Sequence, residues 1–567
     1  MPRATLLPDR VLSAAATGDA RSVRDALADS KAEIAQWDDS GVVVEATADR
    51  LDLLCEGGLG REAAGRLGAA SGAGLRSAPP GGQALEIVAR KSVAALRPAI
   101  GAAVVRAPDG RPLDDGLLDE AIRYQELLHA TVGGQRRWAS LGIYPAEAIR
   151  SPITYALEPL EDVSFVPLDG EAPVAAAHFF DAHPMAAAFG PLGRSGAECL
   201  TLRDASGQIL SLPPVLNARP AGQAKPGAAA LLIESTGTRL ARVADAVGLL
   251  VGVFAARGWS VHHVPVRSRT GAGTVPRLDR PRPLRLSGRE LAHVTGLPLT
   301  AADAAHWLAR ARLDPHTTGR GIRVGVPPWR PDLLTPVDLV EDLTVARGLR
   351  PDDGAVPASP VAGRRLAESR FHIEVESLIL GLGFQPLHTP VLVGRELVER
   401  TGRTTPIEIA NPVSEQYSRV RDALLLSMVG ALERNTRRAY PQRFGEVGPV
   451  IVRAPGEEPG AATRTHGILV LASETAGFAD AAGLVDYVMG RLGARGVREP
   501  AEIPGAIPGR AARVRLAGVD VAELGELTPR LLRASGVPVP AVFAELDLSA
   551  LWPLFRSAPE SVRGAAP

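Results

Sequence analysis

Apolar and polar positions along the chain fall into four patterned blocks, separated by stretches rich in glycine, serine and proline. In residues 1–75 the run Gly41-Val42-Val43-Val44-Glu45-Ala46 predicts a strand. Thr47 to Leu54 and on to Leu67 has helical spacing, with Asp49 placed as a cap. After the linker Ser71 to Gln83, the block 84–268 predicts a strand at Ala102 to Val105 and an amphipathic helix from Leu117 to Ala130. Short extended segments follow at Phe165 to Leu168, Ile209 to Asn217 and Ile233 to Thr238, then an apolar helix through Ala246 to Ala256. A second linker covers Arg267 to Pro283. In the block 280–349, Ser287-Gly288-Arg289-Glu290 and Thr300-Ala301-Ala302-Asp303 read as two capped helix starts. Beyond a third linker, Arg350 to Gly363, the block 364–555 predicts helices over Arg364 to Leu382 and Asp422 to Arg438. Strands are predicted at Phe444 to Val447 and Gly467 to Ala472, with others ending near Leu546. The alternation of elements makes this an α/β and α+β multidomain chain.

The densest stretch runs from Val326 to Gly348. Its first half, Val326-Pro327-Pro328-Trp329-Arg330-Pro331-Asp332, is an extended approach, because proline and the residue before it avoid the helical region. Its second half is a helix with Thr335 as cap, Pro336 at the first position, Asp338 reaching back to the cap and Gly348 as stop. At about 3.6 residues per turn, Asp338, Glu341 and Asp342 share one face, and Asp332 lies just upstream. Such a cluster suits a hard cation such as Mg²⁺. It equally suits acids that favour the positive end of the helix dipole and face water.

Composition narrows the functional classes. Hydrophobic content of 46% with 22% charged residues is globular, and a net charge of zero leaves no overall field to gather a polyanion, so any RNA contact must run through local patches or a partner. All but three of the 63 basic residues are arginine, with lysine only at Lys31, Lys91 and Lys225. Cys55 and Cys199 are far apart and in no metal-ligand spacing, which argues against a zinc site and for a reducing compartment. The longest apolar run, Ala246 to Ala256, is too short to span a bilayer, and the first residues lack a signal-peptide core, so a cytoplasmic protein is expected.

The run V-P-P-W-R-P-D-L-L-T-P-V-D-L-V-E-D-L resembles the signature of phenylalanyl-tRNA synthetase β subunits of the archaeal and eukaryotic type. The resemblance extends along most of the chain. T-x-D-R-x-D-L-L from Thr47 is similar to the family's N-terminal domain, and the order of short motifs over 84–268 to its editing (B3/B4) domain. The block 280–349 resembles its helical B5 domain. I-E-I-A-N-P at Ile407 to Pro412, with Pro441-Gln442-Arg443-Phe444-Gly445-Glu446-Val447-Gly448, resembles its catalytic-like B6/B7 module over 364–555, which has the antiparallel sheet of class II synthetases.

The resemblance implies a β subunit that works with an α subunit in an α2β2 assembly, attaching phenylalanine to tRNA(Phe), with ATP and phenylalanine bound mainly by α. It implies Mg²⁺ at Asp332, Asp338, Glu341 and Asp342. It also implies hydrolysis of tyrosine wrongly attached to that tRNA, in a pocket whose positions match Leu202, Ser211, Asn217 and Glu234. Glu234 is the expected reader of the tyrosine hydroxyl, with Ser211, Asn217 and Thr236 holding the ester and a water. A glycine-rich strand with a late arginine is missing around Gly525-Glu526-Leu527, so no adenylate chemistry is expected in this chain.

Some residues remain open to two readings. His183 before Pro184 is a candidate general base or a structural histidine, and in His262-His263 one ring is expected buried and one exposed. Arg136-Arg137 either touches the tRNA end or covers a loop. Arg434, Arg437 and Arg438 share one helical face that packs on a partner or RNA, or is solvated. The chain departs from the family at Tyr144, where histidine is frequent, at Glu234, where archaeal members often have aspartate, and at Arg347 and Leu349. These departures bear on editing and on packing beside the acidic helix, and they keep two rivals in view: a free-standing deacylase of mischarged tRNA and a non-catalytic specialised paralogue.

Overall fold

The computed structural model describes residues 1–77, 84–108, 111–271, 273–319, 321–348, 354, 356 and 361–556. Leu349, most of the third linker and the end of the first lie outside the described residues. The chain divides into two units, Met1–Val356 and Pro357–Pro567.

The first unit begins with a three-stranded antiparallel sheet in which Gly41–Ala46 lies between Arg3–Leu6 and Ala32–Asp38. Valines at 42 and 44 with no exposure explain why this strand is central. The helix predicted from Thr47 starts later. Residues Leu51–Leu53 form a single 3-10 turn, Asp49 pairs with Lys31 at 2.7 Å instead of capping, and the helix is Glu56–Leu67, with Cys55 Sγ accepting the Gly58 N–H. Its four glycines lower intrinsic helicity, yet a Cβ at Gly60 would meet Ala14 and one at Gly58 the Asp52 carbonyl. Close packing therefore replaces propensity.

Two sheets face one another in the middle of this unit. The first runs in the order Arg76–Ser77, Ser260–His263, Ala99–Arg106, Ala230–Gly237, Ala139–Pro145. The second is nine-stranded and carries Glu198–Arg203, Ile209–Leu212 and Leu216–Arg219 side by side. Period-two alternation sorts side chains between layers. Ala103, Val105, Leu231 and Ile233 pack beneath the helices Asp115–Ala130 and Leu240–Ala255, whereas Ala102, Val104, Tyr144 and Leu232 meet Tyr155, Leu200, Leu202 and Leu210 of the other sheet. Glu234, two residues after Leu232, therefore turns toward the space between the sheets.

Residues 282–347 correct the expectation of a purely helical block. The helices Gly288–Thr295, Ala301–Arg310 and Pro336–Arg347 pack with a three-stranded sheet of Arg282–Leu286, Gly321–Val326 and Asp314–Thr318. The strand sequences RPLRL and DPHTT carry too few apolar residues to reveal themselves by alternation. Both capping boxes form, Ser287 with Glu290 and Thr300 with Asp303. Replacing Thr300 with alanine is expected to cost about 1 kcal/mol, checked by urea denaturation; no measurable loss would mean that packing alone holds this helix.

The second unit is a seven-stranded sheet, Gln385–Pro386, Gln442–Arg453, Ala461–Ala472, Ala541–Asp547, Val519–Leu527, Ala506–Leu516, Val497–Pro500, antiparallel except for its first pair. Leu469, Val542 and Ala544 meet the helices Ala367–Gly381 and Phe478–Arg491, while Ile468, Val470 and Phe543 meet Leu424–Arg434. That last helix ends at Arg434, where Asn435 Nδ2 bonds the Ala431 carbonyl at 2.8 Å. Arg437 and Arg438 lie beyond it, so the predicted three-arginine helical face does not exist. Among the described residues no helix is long and apolar enough to cross a membrane.

Candidate functional site

A cavity of about 430 Å³ opens beside the first unit's two facing sheets. Its apolar wall comes from Leu118 and Ile122 of the helix Asp115–Ala130, Leu141 and Ile143 of the neighbouring strand, Met185 and Leu212; its polar groups include Ser140, Ser211, Asn217 and Glu234, with His129, Arg136 and Glu126 at the wall. Strand register makes this meeting possible, since Ser211 pairs with Asn217 across one hairpin and Glu234 stands opposite Gly142 on the neighbouring antiparallel strand of the other sheet.

Tyr144 ties the polar groups together from behind. Its hydroxyl lies 2.9 Å from Glu234 Oε1, 3.0 Å from Ser211 Oγ and 3.4 Å from Asn217 Oδ1. The ring runs back over Gly142, where any Cβ would collide with it. Asn217 Nδ2 donates to the Gly222 carbonyl at 3.0 Å, which fixes the amide. Glu234 is 3% exposed, and its second oxygen, Oε2, is buried without a hydrogen-bond partner. Burial pushes its carboxyl up to about 7, against the Tyr144 hydrogen bond and the positive charge of Arg97.

Arg97 stands behind the cavity wall, and nothing in the sequence reveals it. It is 1% exposed and pairs with no carboxylate among the described residues; its guanidinium donates to Thr236 Oγ1 at 3.0 Å, the Thr236 carbonyl at 2.7 Å and Ser140 Oγ at 3.0 Å. Burial pulls it down to about 10, so it stays charged at neutral pH. Ser140, in the cavity wall, thereby has a cation directly behind its hydroxyl. No motif marks Arg97 or Ser140, because the pairing spans 43 residues.

The remaining candidates resolve as follows. Ser211, Asn217 and Glu234 come together, whereas Leu202 sits in the core between the sheets, paired with Ser211, and does not line the cavity. Thr236 is engaged by Arg97 and is likewise outside the lining. His183 caps the short helix Pro184–Phe189, accepting the Met185 N–H, faces Asp169 at 3.1 Å and stacks on Phe179, so it is structural. Of His262-His263 neither ring is fully exposed or buried. Arg136 is buried, donating to the Pro214 and Val215 carbonyls and to Glu126 over the Phe189 ring, and so clamps the cavity wall; Arg137 is exposed. His129 in the wall accepts the Leu141 N–H at Nε2 and faces Glu126 through Nδ1, and burial lowers its basicity. Both ring nitrogens are thus committed.

The four acids proposed for Mg²⁺ do not converge. Asp332 and Asp342 are held on either side of the buried Arg330, with Nη2 of Arg330 at 2.7 Å from Asp332 Oδ2 and 2.9 Å from Asp342 Oδ1. Arg330 is 4% exposed, and its charge outweighs burial in holding the Asp332 carboxyl low. Asp338 accepts the Leu334 and Thr335 N–H groups as a cap, and Glu341 reaches Lys31 at 3.0 Å. No group of three metal-ligating side chains occurs among the described residues. The physical reason is that Arg330 already pairs with both buried carboxylates, while Asp338 caps the helix and Glu341 pairs with Lys31.

In the second unit, Arg421 is buried against Glu446 at 2.9 Å and donates to Thr389, Ser427 and the Pro449 carbonyl. Its donors are consumed within the fold.

Residues 354–548 match the family profile described as the phenylalanyl-tRNA synthetase beta chain CLM domain, and residues 284–349 match the tRNA synthetase B5 domain. The phenylalanine–tRNA ligase beta subunit of Natronomonas pharaonis is 30% identical over 581 residues, covering 97% of this chain and 100% of that protein. The corresponding subunit of Korarchaeum cryptofilum is 28% identical over 509 residues, covering 89% of this chain and 91% of that protein. A crystal structure of an N-terminal fragment of the phenylalanyl-tRNA synthetase beta subunit from Pyrococcus horikoshii superposes with a TM-score of 0.54 at 22% identity, covering 61% of this chain and all of the fragment, a likeness of fold.

Proposed function

Because the chain belongs to the phenylalanine–tRNA ligase β-subunit family and is thus a subunit of an aminoacyl-tRNA ligase, we propose that it joins an α subunit in an α2β2 enzyme charging tRNA(Phe) and itself carries the site that hydrolyses mischarged Tyr-tRNA. In this reading residues 1–75 form the N-terminal domain, 84–268 the B3/B4 editing domain, 280–349 the B5 domain and 364–555 the class II-like B6/B7 module. ATP and phenylalanine are bound by α, in keeping with an Arg421 whose donors are consumed internally.

The observation that carries the editing reading is the unpartnered Oε2 of Glu234, buried beside a cavity with an apolar wall of Leu118, Ile122, Leu141 and Ile143. A phenol ring fits the apolar wall, and its hydroxyl supplies the donor that Oε2 lacks. A phenyl ring would leave that oxygen buried and unpaired, the condition under which polar sites discriminate by as much as about 10⁴ to 10⁵. Tyr144, whose hydroxyl also lies against Ser211 and Asn217, holds the carboxyl in place. The cavity's described residues bring no nucleophile and base together, so the chain's contribution is to bind and orient the aminoacyl ester, with the Ser140 hydroxyl, backed by Arg97, positioned toward developing negative charge. No step of this reading runs through magnesium at Asp332, Asp338, Glu341 and Asp342, because as arranged these acids pair with Arg330, the helix start and Lys31.

All cavity residues lie in the first unit, which favours one alternative: a deacylase able to act without α. The test is direct. The purified chain is expected to show no phenylalanine-dependent ATP/pyrophosphate exchange, to restore aminoacylation when combined with α, and to clear Tyr-tRNA(Phe) faster than Phe-tRNA(Phe). Exchange by the isolated chain would refute the division of labour, and equal clearance of both esters would refute the editing reading.

A further inference from the structure

A second, larger cavity of about 780 Å³ in the first unit shares no lining residue with the cavity at Glu234. Six arginines face it: Arg10, Arg61, Arg76, Arg111, Arg257 and Arg312. They come from the helices Pro8–Ala14 and Glu56–Leu67, the strand Arg76–Ser77 and three loops, so only the tertiary fold assembles them. The chain as a whole is neutral, which makes this a local excess rather than a general field.

Little within the protein neutralises that charge. Among the described residues Arg10, Arg76, Arg111 and Arg312 have no ion pair within 4.0 Å. Arg257 gives Nη2 to Glu120 at 2.5 Å, but its Nη1 is buried without a partner. Arg61 gives Nη1 to the Gly252 carbonyl at 2.9 Å and lies over the Trp329 ring. Arg312 has a buried Nε with no partner, on a backbone held at φ 63°, the left-handed region that a side chain other than glycine's adopts at a cost. The lining holds two aspartates against these six arginines, and neither pairs with one of them: Asp114 accepts the Leu117 N–H at 2.6 Å, and Asp9 is exposed in the first turn of its helix.

We propose that this arginine cleft is a binding site for a phosphate-bearing anion, supplied by a free polyphosphate or by a nucleic-acid backbone. Several guanidinium forks converging from different elements match an anion with many acceptor oxygens and more than one negative charge, and arginine is the side chain whose planar donors suit phosphate. An anion here offsets the repulsion among the guanidinium groups; burial, with the neighbouring charge of Arg61, pulls Arg312 down to about 10. The site stands independently of the editing reading.

Calorimetric titration of the full chain with inorganic pyrophosphate, and separately with an unmodified tRNA transcript, tests it. Saturable binding of either probe is expected, weakened about 10-fold or more by Arg312→Gln and by Arg76→Gln and unchanged by Arg453→Gln, an exposed control in the second unit. Pyrophosphate binding assigns a free polyphosphate and binding of the transcript alone assigns the backbone; both support the site. Arg76 and Arg111 are exposed, so Arg76→Gln and Arg111→Gln keep the test open if Arg312→Gln fails to fold. No saturable binding of either probe, or equal weakening by Arg453→Gln, overturns the proposal. Clearance of Tyr-tRNA is expected to persist in these variants whichever result is obtained.

Discussion

Glu234→Ala is expected to lower the preference for clearing Tyr-tRNA over Phe-tRNA by about 100-fold, the order set by losing a hydrogen bond to a buried charged group. The effect should fall on the ratio of the two rates, because the apolar wall that binds either ring is untouched. The wild-type ratio should also depend on pH. Burial places the carboxyl's titration at about 7, so at pH 6 it is largely neutral and tolerates a phenyl ring. At pH 8 it is ionised, and leaving Oε2 unpaired costs more. Discrimination therefore rises with pH through 7, and Glu234→Gln should flatten it. The same shift links to stability with the opposite trend. A carboxyl raised above its ordinary value holds its proton in the folded state, a stabilisation present below about pH 4.5 and lost as pH rises through 7. Relative to wild type, Glu234→Gln should gain stability between pH 5 and pH 8, by at most about 3 kcal/mol. A pH-independent ratio in the wild type would remove Glu234 from substrate recognition.

Arg330→Met is expected to destabilise the chain by about 3–5 kcal/mol, because it leaves Asp332 and Asp342 buried without their cation. Denaturant unfolding should show the loss at pH 7 and a smaller one near pH 4, where the stranded acids take up protons more readily. Combining Arg330→Met with Asp332→Asn and Asp342→Asn should recover part of it. If the arginine serves as the internal cation of this cluster, EDTA should leave the melting temperature of the isolated chain unchanged, and added Mg²⁺ should not raise it. A shift of several degrees on chelation would show that the acids rearrange to hold a metal.

Local signals were legible in the sequence wherever short-range physics decides. The caps at Ser287, Thr300 and Thr335, the strand at Gly41–Ala46 and the apolar helix through Ala246 all follow from periodicity and from side chains that reach three residues along the chain. The apolar positions from Leu51 extend the helical pattern back toward Thr47, whereas the fold closes Leu51–Leu53 as a 3-10 turn and starts the helix at Glu56. The strands at 282–286 and 314–318 give no signal in the sequence, because RPLRL and DPHTT hold too few apolar residues to alternate.

The site divides in the same way. Motif resemblance singled out Glu234, Ser211 and Asn217, and helical spacing put Asp338, Glu341 and Asp342 on one side of a helix. By itself, then, the sequence pointed to the family, to the local caps and to Glu234, Ser211 and Asn217 as polar residues of interest. Only the tertiary structure decided that Tyr144 grips Glu234 across a glycine, that Arg97 stands behind Ser140, that Arg330 enters between two carboxylates, and that six arginines drawn from distant segments share one cleft. These outcomes depend on which charges packing removes from water and which it then brings within a few ångströms of one another. Desolvation and long-range pairing have no period along a chain, so they appear only once the chain is folded.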